Sequence, residues 1–164
     1  MAIEIERKFL VKNDDWRFDA HGVPLQGVRY CQGYVPTDTA VATVRVRIEG
    51  DQAKLTLKGK SRGLSRFEFE YPIPLEEAES MLEQFCGQSR VEKFRYKREE
   101  QGMLWEIDDF LGANQGLVVA EVELSEEGQV ISVPAWAGKE VSDDERYFNV
   151  NLAHNPYQCW QDRS

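Results

Sequence analysis

Side chains of like charge recur at alternate positions in several short segments of this sequence. Alternate positions of a β-strand lie on one face of a sheet, where neighbouring like charges cost about 0.2–1 kcal/mol per pair. Basic side chains bind the oxygens of polyanions, and carboxylates bind hard divalent cations. Together the segments predict a site for a polyphosphate and its metal ions. They carry, in chain order, Glu4, Glu6 and Lys8; Arg45 and Arg47; Lys54 and Lys58; Arg66, Glu68 and Glu70; Lys93, Arg95 and Lys97; Glu106 and Asp108; and Glu121 and Glu123.

An ordinary solvent-facing sheet is the alternative explanation for these charges. Exposed faces of soluble proteins usually mix the two signs of charge. Here the signs come in blocks, such as Arg45 with Arg47 and Glu121 with Glu123. Blocks of one sign are favoured when each meets a counter-charge from outside the chain, so we favour the polyphosphate interpretation.

Eight segments with strand-like alternation position these side chains. Apolar residues occupy the opposite phase, as Ile3, Ile5 and Phe9 do in the first segment. Gly50 and Asp51 predict a hairpin turn between the third and fourth segments. The predicted strands are 3–11, 27–35, 42–49, 53–58, 66–73, 91–98, 104–110 and 118–124.

Two short helices are predicted beside the strands. Residues 75–86 place apolar side chains at helical spacing, and Gly87 follows as a stop signal. Ser142 and Glu145 fit a capping box, which predicts a helix that begins near Asp143. Many strands and few helices indicate an α+β, mainly β fold with antiparallel strands. The sequence lacks a long linker or a repeat, which predicts one domain over residues 1–164.

Bulk composition narrows the class of protein. The chain has 164 residues, of which 41% are hydrophobic and 30% charged, enough for a packed core without disulfides. Its formal net charge is -9, from 20 Lys+Arg and 29 Asp+Glu. This balance argues against nucleic-acid binding and against binding to a membrane surface. No run approaches the roughly 18 apolar residues of a membrane span.

The cysteines and the first residues predict a cytoplasmic protein. Cys31, Cys86 and Cys159 are widely spaced, which predicts free thiols in a reducing compartment. The sequence is charged from Glu4 onward and does not begin with an apolar signal peptide. The oligomeric state stays open, a homodimer included.

Several of these segments resemble a known family when they are taken in order. The first contains an ExExK signature formed by Glu4, Glu6 and Lys8. Arg45-x-Arg47, the segments around Lys58, Lys93 and Asp108, and a late Glu121-x-Glu123 pair follow in family order. The chain therefore resembles the CYTH superfamily, the triphosphate tunnel metalloenzymes, and the likeness covers nearly its whole length.

The resemblance implies an eight-stranded, antiparallel, closed β-barrel whose charged phase lines a tunnel, with helices packed outside. It implies metal-dependent cleavage of a triphosphate, and the chain is most similar to short bacterial inorganic triphosphatases. Inorganic triphosphate, or another small molecule that bears a triphosphate, is then the expected partner. An adenylate cyclase of the family's class and a thiamine or nucleoside triphosphatase remain alternatives. A non-catalytic polyphosphate-binding module and a lipocalin-like carrier fit less well.

Roles are implied residue by residue. The family's metal-binding carboxylates, which hold Mg²⁺ or Mn²⁺, match Glu4, Glu6, Asp108, Glu121 and Glu123. Glu68 and Glu70 either orient basic side chains or bind metal. Lys8, Glu6 and Tyr34 are the implied catalytic residues, with Tyr34 expected to face Lys8. The residues implied to grip phosphate are Lys8, Arg45, Arg47, Lys58, Lys93 and Arg95.

Overall fold

A computed structural model of the chain describes residues 2–161. All eight predicted strands are present, and their ends differ from the predicted ones by at most two residues. The strands are β1 (Ile3–Val11), β2 (Val28–Val35), β3 (Ala42–Glu49), β4 (Gln52–Gly59), β5 (Ser65–Ile73), β6 (Arg90–Glu100), β7 (Met103–Phe110), β8 (Val118–Glu123) and a short β9 (Ala137–Glu140). The helices are α1 (Leu75–Phe85) and α2 (Asn149–His154), with 3-10 turns at Asp15–Arg17, Gly112–Asn114, Glu145–Tyr147 and Tyr157–Cys159.

The first eight strands close into the predicted antiparallel barrel. Their order is β5-β4-β3-β2-β6-β7-β8-β1, and a second pairing joins β1 back to β5. That closing ladder is short, with Ile3 opposite Phe67 and Ile5 opposite Ser65. Strand β9, which the sequence did not predict, pairs with the end of β1 outside the barrel. Its four residues include Gly138 and two charged side chains, so it carries no alternating apolar pattern.

The apolar phase of the strands packs outward rather than into the barrel. One cluster contains Trp16, Trp105 and Trp136, where the segments that follow β1 and β8 cover the outer faces of β7, β8 and β1. A second contains Leu152 of α2 together with Trp160. A third joins Leu82 of α1 to the outer faces of β3 and β4. The barrel interior is thereby left to the charged phase.

The helix predicted near Asp143 is not formed there. Ser142 Oγ accepts a hydrogen bond from the Lys8 backbone N–H at 3.0 Å, so its hydroxyl anchors this segment to β1. A 3-10 turn follows at Glu145–Tyr147, and α2 begins only at Asn149. Long-range pairing with β1 outweighs the local capping pattern. Within residues 2–161, the helices are all too short and too polar to cross a membrane.

Candidate active site

A cavity of about 240 Å³ occupies the interior of the barrel, and charged side chains dominate its lining. Nine basic and eight acidic residues line it, a balance of +1 against -9 for the whole chain. A chain that is acidic overall therefore encloses a cavity able to hold an anion. The basic residues are Lys8, Arg45, Arg47, Lys54, Lys58, Arg66, Lys93, Arg95 and Lys97, and the acidic ones are Glu4, Glu6, Glu49, Glu68, Glu70, Glu106, Glu121 and Glu123.

The two signs are separated around the barrel wall. Strands β3, β4 and β6, with β2 between them, contribute most of the basic side chains, whereas β7, β8 and β1 contribute Glu106, Glu121, Glu123, Glu6 and Glu4. Strand β5 is mixed. Sheet order alone produces this arrangement, because strands that lie far apart in sequence become neighbours. The cavity thus presents a basic wall to one side of a bound molecule and a carboxylate wall to the other.

Neighbouring carboxylates of the cavity lining hold the two guanidinium groups of β3 in place on the basic wall. Arg45 Nη2 donates to Glu70 Oε2 at 3.2 Å, and Arg47 pairs with Glu49 at 2.6 Å. Both arginines are buried, with 7% of their surface exposed. Arg45 Nε is buried without a hydrogen-bond partner among residues 2–161. An unpaired donor of this kind fits an anionic oxygen in the cavity.

A second basic group on this wall is built around Asp108, which is fully buried. Arg95 donates to both carboxylate oxygens at 2.8 and 2.9 Å, and Lys93 Nζ lies 2.8 Å from Oδ2. Burial raises the pKa of Asp108, but Arg95 and Lys93 outweigh it and the net shift is downward. Burial lowers the pKa of Lys93 to about 7 against the opposing pull of Asp108. Asp108 thus holds the cationic Arg95, and Lys93 when it is protonated, beside the cavity.

Asp108 therefore differs from the metal ligand that the sequence led us to expect. Both of its oxygens bind cationic side chains, and it lies behind the residues that line the cavity. The spacing Glu106-x-Asp108 places both on one strand face, but the sequence did not show which one Arg95 would cover. We assign Asp108 as a positioning residue for Arg95 and Lys93.

Replacing Asp108 with asparagine should test this assignment. Asp108→Asn leaves the buried Arg95 guanidinium without its counter-charge and favours the neutral form of Lys93, and breaking such a pair typically costs about 3–5 kcal/mol. We expect the free energy of unfolding in urea to fall by about that much, whereas Glu106→Gln, at the partly exposed neighbouring carboxylate, should cost under about 1 kcal/mol. Equal, small effects of the two changes would mean that Asp108 does not hold the cluster together.

On the carboxylate wall, one ammonium group lies between two acids. Lys8 Nζ is 3.2 Å from Glu6 Oε1 and 3.0 Å from Glu121 Oε1. Burial by itself lowers the pKa of Lys8, but Glu121 and Glu6 outweigh it and the net shift is upward. Burial, reinforced by Glu121, raises the pKa of Glu6 to about 7 although Lys8 opposes the shift. The pair of carboxylates thus holds one cation and readily takes up a proton near neutral pH.

The other two signature acids differ in their partners. Glu4 Oε2 lies 3.1 Å from Lys58 Nζ and 3.7 Å from Arg66 Nε. Glu123, opposite Glu6 in the β1–β8 ladder, has its pKa raised by burial and by the Glu4 carboxylate. Desolvation and neighbouring carboxylates both disfavour the ionised forms of Glu6 and Glu123, and a bound cation would favour them.

The donor set suits a hard divalent cation. Glu4, Glu6, Glu121 and Glu123 all line the cavity and offer only carboxylate oxygens, the ligands that Mg²⁺ and Mn²⁺ prefer. Among residues 2–161, no three acidic, histidine or cysteine side chains already converge as a complete metal cage. Mg²⁺ commonly binds through one or two carboxylates together with substrate phosphates, so a complete protein cage is not required.

Tyr34 lies in the cavity wall but contacts a different residue from the one expected. Its hydroxyl oxygen accepts a hydrogen bond from Gln32 Nε2 at 2.8 Å. Burial raises the pKa of Tyr34, and the nearby guanidinium of Arg45 opposes this shift. Lys8, which Tyr34 was expected to face, is engaged with Glu6 and Glu121. Tyr34 therefore belongs to the basic wall.

One part of the lining comes from a segment with no charged signature. Phe148, Asn149 and Val150, at the start of α2, lie against the cavity, and Asn149 Oδ1 accepts a hydrogen bond from Lys93 Nζ at 2.9 Å. The ring of Phe148 is 5.8 Å from the Arg66 guanidinium. Nothing local in the sequence marks these three residues as part of a site, and they reach the cavity only because the chain returns to the barrel after β9.

The comparisons with known proteins agree with this geometry. The CYTH domain family matches residues 2–154. The chain belongs to the CYTH family. It is 46% identical over 162 residues to an inorganic triphosphatase from Acetivibrio thermocellus, covering 99% of this chain and 100% of that protein. It is 41% identical over 153 residues to an inorganic triphosphatase from Nitrosomonas europaea, covering 92% and 96%.

A solved structure of a similar protein shares the fold. The crystal structure of an inorganic triphosphatase superposes with a TM-score of 0.64 and 37% identity, covering 92% of this chain and 97% of that one. The CYTH barrel predicted from the order of the charged segments is thereby confirmed as the architecture of this chain.

Proposed function

We propose that this CYTH protein hydrolyses inorganic triphosphate to pyrophosphate and phosphate, using a divalent cation. The observation that carries the proposal is the cavity in which a basic wall faces a carboxylate wall. Phosphoryl transfer depends mainly on positioning and on charge stabilisation, so a rigid set of charges suffices without a covalent nucleophile. The names of the two relatives above support the same substrate class.

In this proposal the basic wall binds and orients the phosphate chain. Arg45, Arg47 and Arg95 would offer their remaining guanidinium N–H groups to phosphate oxygens, and Lys58 and Lys93 would add point charges. The buried Arg45 Nε would gain an acceptor. Asp108 keeps Arg95 fixed, so little ordering is required at the moment of reaction.

The carboxylate wall would hold the cation and manage protons. Glu4, Glu6, Glu121 and Glu123 would bind Mg²⁺ or Mn²⁺, which when bound neutralises phosphate charge and acidifies water. Glu6 has a pKa raised to about 7 by burial and by Glu121, so it would release any bound proton as it takes up the cation. Lys8, 3.2 Å from Glu6, would stabilise the negative charge that develops on the phosphate oxygens. Tyr34 is proposed to orient the phosphate chain from the basic wall.

An adenylate cyclase is the main competing activity within the family. It would require a pocket for adenine and access for the ribose 3′-hydroxyl. The cavity lining is mostly charged, and Phe148, Asn149 and Val150 occupy one part of it. A non-catalytic polyphosphate-binding module would not need four carboxylates beside a polyanion. Both features favour hydrolysis of an unsubstituted triphosphate.

Substrate preference tests the proposal directly. We expect kcat/KM for tripolyphosphate to exceed that for ATP by at least about tenfold, the ratio that corresponds to 1.4 kcal/mol of differential binding. Thiamine triphosphate should be similarly disfavoured, because each substituent must fit beside the start of α2. Phosphate release and nucleotide products can be measured in one assay by ion chromatography.

The same assay contains the results that would contradict the proposal. Cyclic AMP and pyrophosphate as the main products from ATP would support the cyclase, and tight binding of tripolyphosphate without any cleavage would support the binding module. Phe148→Ala should reduce the ratio of kcat/KM for tripolyphosphate to kcat/KM for ATP, because Phe148 lines the cavity. Phe85→Ala is the control: Phe85 lies at the end of α1, and its replacement should leave this ratio unchanged.

The proposed compartment is the cytoplasm. Cys31, Cys86 and Cys159 are free thiols, and Cys159 is exposed. An exposed thiol persists in a reducing compartment, which supports the proposal. No part of the proposed activity calls for a nucleic-acid or membrane partner.

A further inference from the structure

The outer face of the barrel around β5 carries large apolar side chains that remain exposed. Three are aromatic and two are aliphatic, and they come from three adjacent strands. We call this set the aromatic face. It consists of Ile3 of β1, Leu57 of β4, and Phe67, Phe69 and Tyr71 of β5, which are 46%, 40%, 57%, 44% and 56% exposed.

The aromatic face is continuous. Phe67 and Phe69 stack with their ring centroids 6.4 Å apart and their planes nearly parallel. Ile3 lies opposite Phe67 in the β1–β5 ladder, and Leu57 lies opposite Phe69 in the β4–β5 ladder. Cross-strand partners on one face lie within about 5.5 Å of each other, so these side chains form one patch.

Its size exceeds what scattered surface residues provide. A Phe or Tyr side chain buries about 150–250 Å² when covered, so the exposed halves of these five side chains amount to roughly 400 Å². Patches of this size commonly mark interaction surfaces. Together with a polar rim, the aromatic face can form the centre of a standard interface of about 800 Å² per partner.

The edge of β5 favours contact through side chains rather than through an added strand. The Glu68 N–H donates to Ala2 O, so the N–H groups of even-numbered residues of β5 point toward β1. Pro72 continues this series, and its ring has no N–H to offer. A strand of another molecule would therefore pair poorly along this edge, while the outward faces of the rings remain available.

Charge at the two ends of β5 favours a second copy of the chain as the partner, although Glu127 also accepts a hydrogen bond from Leu64 N–H at the basic end. Lys60 and Arg62, in the turn before β5, are exposed, as are Glu76 and Glu77 in the first turn of α1 after it. Two copies related by a twofold axis, with their β5 strands antiparallel, bring the basic end of each against the acidic end of the other. We propose that the aromatic face is the interface of a homodimer with this arrangement.

Sedimentation equilibrium of the full chain tests the interface. The wild type should have twice the 18.9 kDa chain mass at micromolar concentration. The double change Phe67→Ser, Phe69→Ser should raise the dissociation constant at least about 100-fold, because central aromatic residues dominate interface energies. Phe85→Ser is the control, since Phe85 is 59% exposed but lies on α1 outside the aromatic face.

Charge reversal tests the orientation and does not depend on how well the serine variant folds. Lys60→Glu with Arg62→Glu should weaken the dimer, as should Glu76→Lys with Glu77→Lys, and the four changes combined should restore it. A monomeric wild type would overturn the proposal and leave the face to a different partner. A dimer that the charge reversals leave intact, or that the combination fails to restore, would overturn it as well.

Discussion

Chelation of divalent cations with excess EDTA should abolish cleavage of tripolyphosphate, and Mg²⁺ or Mn²⁺ should restore it. The reason is the number of carboxylates on one wall, where burial and Glu121 raise the pKa of Glu6 and partial desolvation and Glu4 raise the pKa of Glu123. A bound cation contributes several kcal/mol of charge stabilisation, which corresponds to about 10³ or more in rate. Phosphate release is measured before and after the metal is added back.

Two variants and a pH series refine this expectation. Glu121→Gln should raise the Mg²⁺ concentration that gives half-maximal activity, whereas Glu140→Gln, outside the barrel on β9, should not. Below a pH of about 7, Glu6 takes up a proton that must leave before a cation binds, so that Mg²⁺ concentration should rise as the pH falls. Full activity in exhaustively chelated buffer would refute the metal-dependent mechanism.

Replacing Lys8 with methionine should lower kcat/KM for tripolyphosphate by about 10²–10³, the usual cost of one lost charge-stabilising donor. Lys8 is buried and in contact with Glu6 and Glu121. Its loss should also leave these two acids facing each other, and breaking a buried pair costs about 3–5 kcal/mol. The melting temperature in EDTA should therefore fall, most strongly above pH 7, where both acids are ionised.

A divalent cation should then recover much of the lost stability without recovering the activity, because it can neutralise the two carboxylates but cannot replace the ammonium group. Lys54→Met is the matched control, since Lys54 lines the same cavity but its side chain is 33% exposed. It should change kcat/KM by less than about tenfold, in line with an exposed ion pair. Near-wild-type kcat/KM for Lys8→Met would show that Lys8 has no part in binding or cleaving the phosphate chain.

Local patterns were sufficient for the strands and for most of the cavity lining. A period of two fixes which side chains share a face, so Arg45 and Arg47, or Glu121 and Glu123, had to point to the same side. All six side chains expected to grip phosphate do line the cavity. The family resemblance then supplied the closure of the barrel, which periodicity alone cannot distinguish from an open sheet.

Other features depend on contacts between distant segments. The capping pattern of Ser142 and Glu145 was misleading because the Ser142 hydroxyl binds the backbone of Lys8 instead. Tyr34 was expected to face Lys8, but its hydroxyl accepts a hydrogen bond from Gln32, which lies two residues away on the same strand face. Asn149 accepts a hydrogen bond from Lys93, which lies 56 residues earlier in the sequence, and no local motif predicts that contact.

The sequence by itself determined which charged side chains share a strand face, because side-chain direction along a strand is a local property. Only the tertiary structure decided which charges neutralise each other. Asp108 became the buried partner of Arg95 and Lys93, and Lys8 came to lie between Glu6 and Glu121. These pairings depend on strand order and register, which the packing of the whole barrel sets and no single segment encodes.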